Sequence, residues 1–316
     1  TAETLPLRNF QQYMDWISRL EKLDDVIDQY IALANQGIEN QVMPPKVLMS
    51  RVLNQIKLQN VDSYINSPFY DAFEVLPDEI SNQEQEQIRE QAQITITNVV
   101  IPSYVKLLNF FENSYYPNCR DTIGISDIKN GSQYYELIAR QFTTTELTPD
   151  EIHNIGLSEV TRIKNEMFKI MDQVQWNGSF NEFLDFLRTD SQFYFETGEE
   201  LFTEYLATSK RIDPLLVKLF KDLPSMPYGL KPIPMESAPD TTTAYYQRPA
   251  ADGSRAGYYY VNLYMPEVRP KYEIEALSLH EAMPGHHLQI AYTMELDLPN
   301  FRKYGGYTAF VEGWGL

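Results

Sequence analysis

The chain has 316 residues, 43% of them hydrophobic, enough for a sizeable core in one large domain or two ordinary ones. A net charge of −18, a pI near 4.6 and the lack of any basic patch argue against nucleic acid or an anionic membrane surface as a partner; the acidity serves solubility. Cys119 is the only cysteine, so no disulfide forms within the chain, and no apolar run in the sequence approaches the roughly 20 residues of a membrane span.

Residues 1–223 read as a mainly helical region. Apolar residues recur at helical spacing over 10–23 (Phe10, Tyr13, Met14, Ile17, Leu20, Leu23), over 24–35 and, after Pro44-Pro45, over 46–58. Such stripes are expected to pack a core. Breaks at Ser67-Pro68 and Pro77-Asp78 precede one or two long helices over 82–111, with Pro102 at a bend or in a first turn. Residues 113–130 read as a loop and 131–143 as a helix. Thr148, Pro149 and Glu151 make a capping box with proline in the first turn, starting a helix that runs to about residue 175. His153 falls in its first turns, where a surface or structural role is expected. Further helices are expected over 180–187, 198–212 and 214–223.

Composition changes at Pro224: prolines at 224, 227, 232, 234 and 239 exclude helix there. Residues 244–246 and 256–263 read as strands joined by a turn at 250–254, and the second is aromatic and β-branched. Helices are predicted over 273–284 and 286–296. The expected division is a helical region at 1–223 and a catalytic portion at 224–316.

Three of the four histidines fall between positions 280 and 287, in Leu279-His280-Glu281-Ala282-Met283-Pro284-Gly285-His286-His287-Leu288-Gln289. Scarce, clustered imidazoles point to zinc, and Glu281 is placed to act as a base toward water. The spacing departs from H-E-x-x-H, because the position one turn after His280 is Pro284. On a straight helix a six-residue step lands roughly 120° off the first face, and a seven-residue step returns to it about 10 Å further along. Two imidazoles on one ion therefore need a break, which Pro284-Gly285 supplies. Glu312, in the apolar setting Phe310-Val311-Glu312-Gly313-Trp314, is a good third ligand; Glu275 and Glu295 are weaker rivals. His287 is an alternative ligand, a hydrogen-bond donor behind the ligands, or a transition-state stabiliser.

With Glu312-Gly313-Trp314, Tyr259-Tyr260-Val261-Asn262, and Gly131, Tyr134-Tyr135 and 147–153, this stretch resembles the bacterial family called domain of unknown function 885, from roughly residue 120 to the end. The resemblance implies likeness to gluzincin zinc metallopeptidases. The expected fold is mainly α (α+β), its helical N-terminal region packed with a zincin-like part that has a small sheet beside the broken zinc helix. It further implies that His280, His286 and Glu312 bind zinc and that Glu281 is the general base. His287 is a second catalytic candidate. Strand 257–263, with Tyr259, Tyr260 and Asn262, is the candidate to hold a peptide or small amide substrate. Members of this family run longer and are often secreted or lipid-anchored. An extracytoplasmic protein is therefore expected, with a leader or anchor ahead of Thr1 and further chain after Leu316. Other readings of the same residues are a binding lipoprotein without activity and a zinc hydrolase of non-peptide amides or esters.

Overall fold

The computed structural model describes residues 2 and 5–316, and its contacts divide the chain into two units, Thr1–Tyr135 and Glu136–Leu316. In the first, α1 (Phe10–Leu20) is opened by Asn9, whose side chain accepts the Gln12 amide. It is followed by α2 (Leu23–Glu39), α3 (Lys46–Leu58), α4 (Asp71–Glu74), α5 (Asn82–Thr95) and α6 (Ile101–Phe110). A capping box of Ser81 and Glu84 starts α5. A π-helical turn, Ile96–Val100, carries α5 into α6, where the widened turn accommodates the missing amide of Pro102. The core is built from Tyr13, Ile17 and Leu20 of α1, Phe73 of α4, and the stripe Ile88, Ala92, Ile96 and Val100.

The helical run Asn82–Asn118 is continuous through Pro102, and by length and composition alone it is long and apolar enough to cross a membrane. Its buried stripe lies in the core of the first unit. The stripes of α2 and α3 pack less than expected: Ile27 and Ile56 are buried, whereas Tyr30, Leu33, Val47 and Leu48 lie off the packed face and are exposed.

The second unit carries α8 (Pro149–Gln173) and α9 (Phe180–Thr189), preceded in the chain by α7 (Gly131–Thr143), which runs across the division. The predicted capping box of Thr148 and Glu151 starts α8, which buries only Met171. Then come α10 (Gly198–Ile212), β1 (Tyr228–Pro232), β2 (Ala244–Gln247), β3 (Gly257–Val261), α11 (Ile274–Glu281), α12 (His286–Glu295), α13 (Asn300–Tyr304) and α14 (Thr308–Gly315). The sheet order is β1-β3-β2, with β1 parallel and β2 antiparallel to β3. In that register Ala244 opposes Val261 and Tyr246 opposes Tyr259. Strand alternation sends Ala244, Tyr259 and Val261 to one face, where they pack with Leu201 and Tyr205 of α10 and Ile274 of α11. The fold is thus mainly helical with one small sheet, as expected. The sequence did not predict β1, because Pro227 and Pro232 read as breaks; both are compatible with a strand at a sheet edge. The compositional change at Pro224 falls inside the second unit and marks the passage from helices to sheet.

Candidate metal centre

The chain leaves α11 at Glu281 and enters α12 at His286, with Ala282–Gly285 as the break. The Met283-Pro284 peptide is cis. The Gly285 amide turns back to the Leu279 carbonyl at 2.9 Å, and the His287 amide bonds Ala282 at 3.1 Å. A Cβ on residue 285 would overlap the carbonyl oxygens of Leu279 and His280, so only glycine permits this approach.

The fold-back brings the His280 and His286 rings to a centroid separation of 4.5 Å. Potential ligand atoms of His280, Glu281 and His286 all lie within 4.8 Å of one another. Glu312, from α14, places Oε2 3.5 Å from His280 Nε2 and 3.7 Å from His286 Nε2. These separations are too long for good hydrogen bonds. They are close to the roughly 3.4 Å between neighbouring donors around a tetrahedral zinc with bonds of about 2.0–2.1 Å. Two imidazoles and a carboxylate at this spacing fit a zinc ion and leave a fourth direction for water. Burial, and then neighbouring His280, lowers the pKa of His286, which favours the neutral, ligating form.

The position of Glu312 depends on how α14 is tied down. Gln289 donates through Nε2 to the Phe310 carbonyl at 3.2 Å, and Trp314 donates its indole N–H to the Pro284 carbonyl at 2.7 Å. These two bonds bracket Glu312 and fasten α14 to α12 and to the break. Glu281 is buried, and burial raises its carboxyl pKa; His280 opposes the shift, Glu312 adds to it, and a hydrogen bond from the Tyr246 amide opposes it.

His287 points elsewhere. It is 1% exposed, with Nε2 3.0 Å from the Met226 carbonyl and Nδ1 2.8 Å from the Tyr246 hydroxyl. A carbonyl only accepts, so Nε2 carries the proton and Nδ1 accepts from Tyr246. Both nitrogens are spent, which corrects the expectation that His287 serves as a ligand or meets the reacting atoms. Gly257 makes room for this bond: a Cβ there would press on the Tyr246 hydroxyl and on His287 Nδ1. Glu295 ends α12 nine residues after His286, about 13 Å further along the helix, where one of its oxygens accepts the Ser225 amide (2.7 Å), the Ser225 hydroxyl (2.9 Å) and the Met226 amide (3.1 Å). Glu275 and His153 are exposed on α11 and α8.

Residues 1–316, the whole chain, match the profile of the family described as "Bacterial protein of unknown function (DUF885)". The chain belongs to the DUF885 family. A crystal structure described as "the putative lipoprotein from Colwellia psychrerythraea" is similar to it, with a TM-score of 0.91 and 28% sequence identity. The likeness covers 99% of this chain and 55% of that one, so the chain spans about half the length of this neighbour. No curated protein matches it.

The substrate residues expected on β3 are corrected in this DUF885 chain. β3 is the central strand, so neither of its edges is open to a substrate backbone. Tyr259 is fully buried and meets Tyr205 edge to face at 5.8 Å; Tyr260 is 4% exposed and stacks on Tyr245 at 4.9 Å. Asn262 donates to the carbonyls of Ala238 (2.7 Å), Thr241 and Thr242 (each 3.2 Å), and accepts the Tyr264 amide at 3.0 Å. It holds the loop before β2 and has no group left for a ligand. Tyr246, Gln289 and Trp314 had no role in the sequence reading: Gln289 and Trp314 bond main-chain carbonyls, and Tyr246 bonds His287 from 41 residues away, and only the fold reveals these partners.

Proposed function

We propose that this DUF885 chain carries the centre of a zinc-dependent metallopeptidase, similar to gluzincins, that hydrolyses peptide bonds with Glu281 as general base. The observation that carries the proposal is the convergence of His280, His286 and Glu312 beside a buried carboxylate, Glu281. His280, His286 and Glu312 would hold the metal, which supplies a Lewis acid for the scissile carbonyl and lowers the pKa of water toward about 7. Glu281 takes the proton from that water and delivers it to the leaving amine. Its burial keeps the proton affinity of the carboxylate high. β2 is the edge strand that contacts α11, and its outer edge is the candidate place for a substrate backbone. An extracytoplasmic location, secreted or lipid-anchored, goes with this function, since the Colwellia neighbour carries a lipoprotein description.

The test compares wild type with Glu281→Gln on a mixed peptide library, with and without a chelator. The expected result is one zinc per chain in both proteins, and hydrolysis reduced about 10²–10⁴-fold in the variant. Undiminished hydrolysis in Glu281→Gln contradicts the assignment of the base. Zinc uptake with cleavage only of non-peptide amides or esters keeps the centre and replaces the substrate class. A folded chain that takes up no zinc leaves the binding lipoprotein as the better reading.

A further inference from the structure

Two buried polar atoms on α12 have no hydrogen-bond partner among the described residues: Nδ1 of His286 and Oε1 of Gln289. Both residues are only 8% exposed, so an unmet polar atom on either is costly unless something satisfies it. They stand three residues apart on one helix, the spacing that puts side chains on a common face with Cβ atoms about 5–6 Å apart.

Their chemistry is complementary. The Gln289 amide group faces the Phe310 carbonyl, which only accepts, so the NH₂ end is fixed there and Oε1 is an acceptor by elimination. His286 turns Nε2 toward Glu312 and His280. An imidazole that ligates through Nε2 keeps its proton on Nδ1, which makes Nδ1–H an obligatory donor. Without a metal the proton can sit on either nitrogen, and nothing compels the bond.

We propose that Gln289 is the positioning residue of this centre: with metal held, its Oε1 accepts Nδ1–H of His286 while its NH₂ holds Phe310, so that one side chain ties a ligand on α12 to the helix that supplies Glu312. The proposal rests on His286 being a metal ligand and goes beyond it by naming what orients that imidazole. Gln289 touches neither substrate nor the reacting atoms.

The experiment measures zinc affinity by competition with a chromophoric chelator for wild type, Gln289→Leu and Gln289→Glu. In parallel, the side-chain N–H resonances of ¹⁵N-histidine are recorded in the zinc-loaded proteins. Gln289→Leu removes both ends of the link and is expected to weaken zinc binding about 10- to 100-fold and to lose the slowly exchanging Nδ1–H signal of His286. Gln289→Glu keeps an acceptor and loses the donor to Phe310; it is expected to keep the signal and to bind zinc only about fivefold more weakly than wild type, the loss due to one missing anchor of α14. A residue that only fastened α14 would give equal losses in both variants, and that result overturns the proposal. So does wild-type affinity in Gln289→Leu. If Gln289→Leu does not fold, the wild-type and Gln289→Glu spectra decide, since an Nδ1–H that exchanges freely in both contradicts the bond. A folded wild type that takes up no zinc removes the metal reading and this inference together, whereas a wild type that loads while Gln289→Leu loads equally removes this inference alone.

Discussion

His287 sits beside a ligand in the sequence and does a different job in the fold. Burial lowers its pKa from 6.5 to about 4, against a weaker opposing effect of the Met226 carbonyl. The unfolded chain keeps the ordinary value, so between pH 6.5 and about 4 the unfolded state binds the additional proton. The stability this gives is complete above pH 6.5 and is lost as the pH falls to about 4, with a full span of about 3 kcal/mol. Urea unfolding of zinc-free protein at pH 7.5 and 4.5 should therefore show a larger loss for wild type than for His287→Gln. Parallel losses in the two proteins would show that the imidazole is not held neutral. The sequence carried the chemistry of this cluster legibly, in the scarcity of histidine and in the adjacency of His280 and Glu281. It did not tell His286 from His287 by role, because successive residues on a helix differ only in direction, and direction depends on how the break folds.

At the scale of elements, the centre depends on one break and one docked helix. The Pro284-Gly285 step was readable, since no straight helix brings residues 280 and 286 to one ion. Gly285→Ala puts a methyl group into the Leu279 and His280 carbonyls. It is expected to cost about 1–3 kcal/mol of stability and to weaken zinc binding at least tenfold, read by thermal unfolding and chelator competition. Unchanged values would mean that the fold-back tolerates a side chain and does not set the ligand geometry. The docking of α14 was not readable, because it runs through main-chain carbonyls of Pro284 and Phe310. Trp314→Phe keeps an aromatic ring and deletes the bond to Pro284. Losing one hydrogen bond, about 1 kcal/mol, should weaken zinc binding about fivefold while far-ultraviolet dichroism stays the same. Affinity equal to wild type would show that Glu312 does not rely on that anchor. The reading of strand 257–263 failed for a related reason: an apolar, aromatic run suits a central strand as well as an edge, and the missing information was β1, hidden between prolines.

For the whole molecule, helical periodicity and capping boxes gave the element order of most of the chain, including α8 from Thr148 and Glu151. Which apolar residues are covered was less legible, since α2, α3 and α8 leave much of their apolar surface exposed. Everything proposed for function lies in the second unit, Glu136–Leu316, and rests on three side chains from α11, α12 and α14 sharing one ion. The most direct measurement is an anomalous difference map at the zinc absorption edge, from crystals grown with one equivalent of zinc. We predict a single peak per chain, bonded to Nε2 of His280, Nε2 of His286 and the carboxylate of Glu312, with His287 still held by Tyr246 and Met226. A map without density between those three side chains, or with zinc on His287, would contradict it.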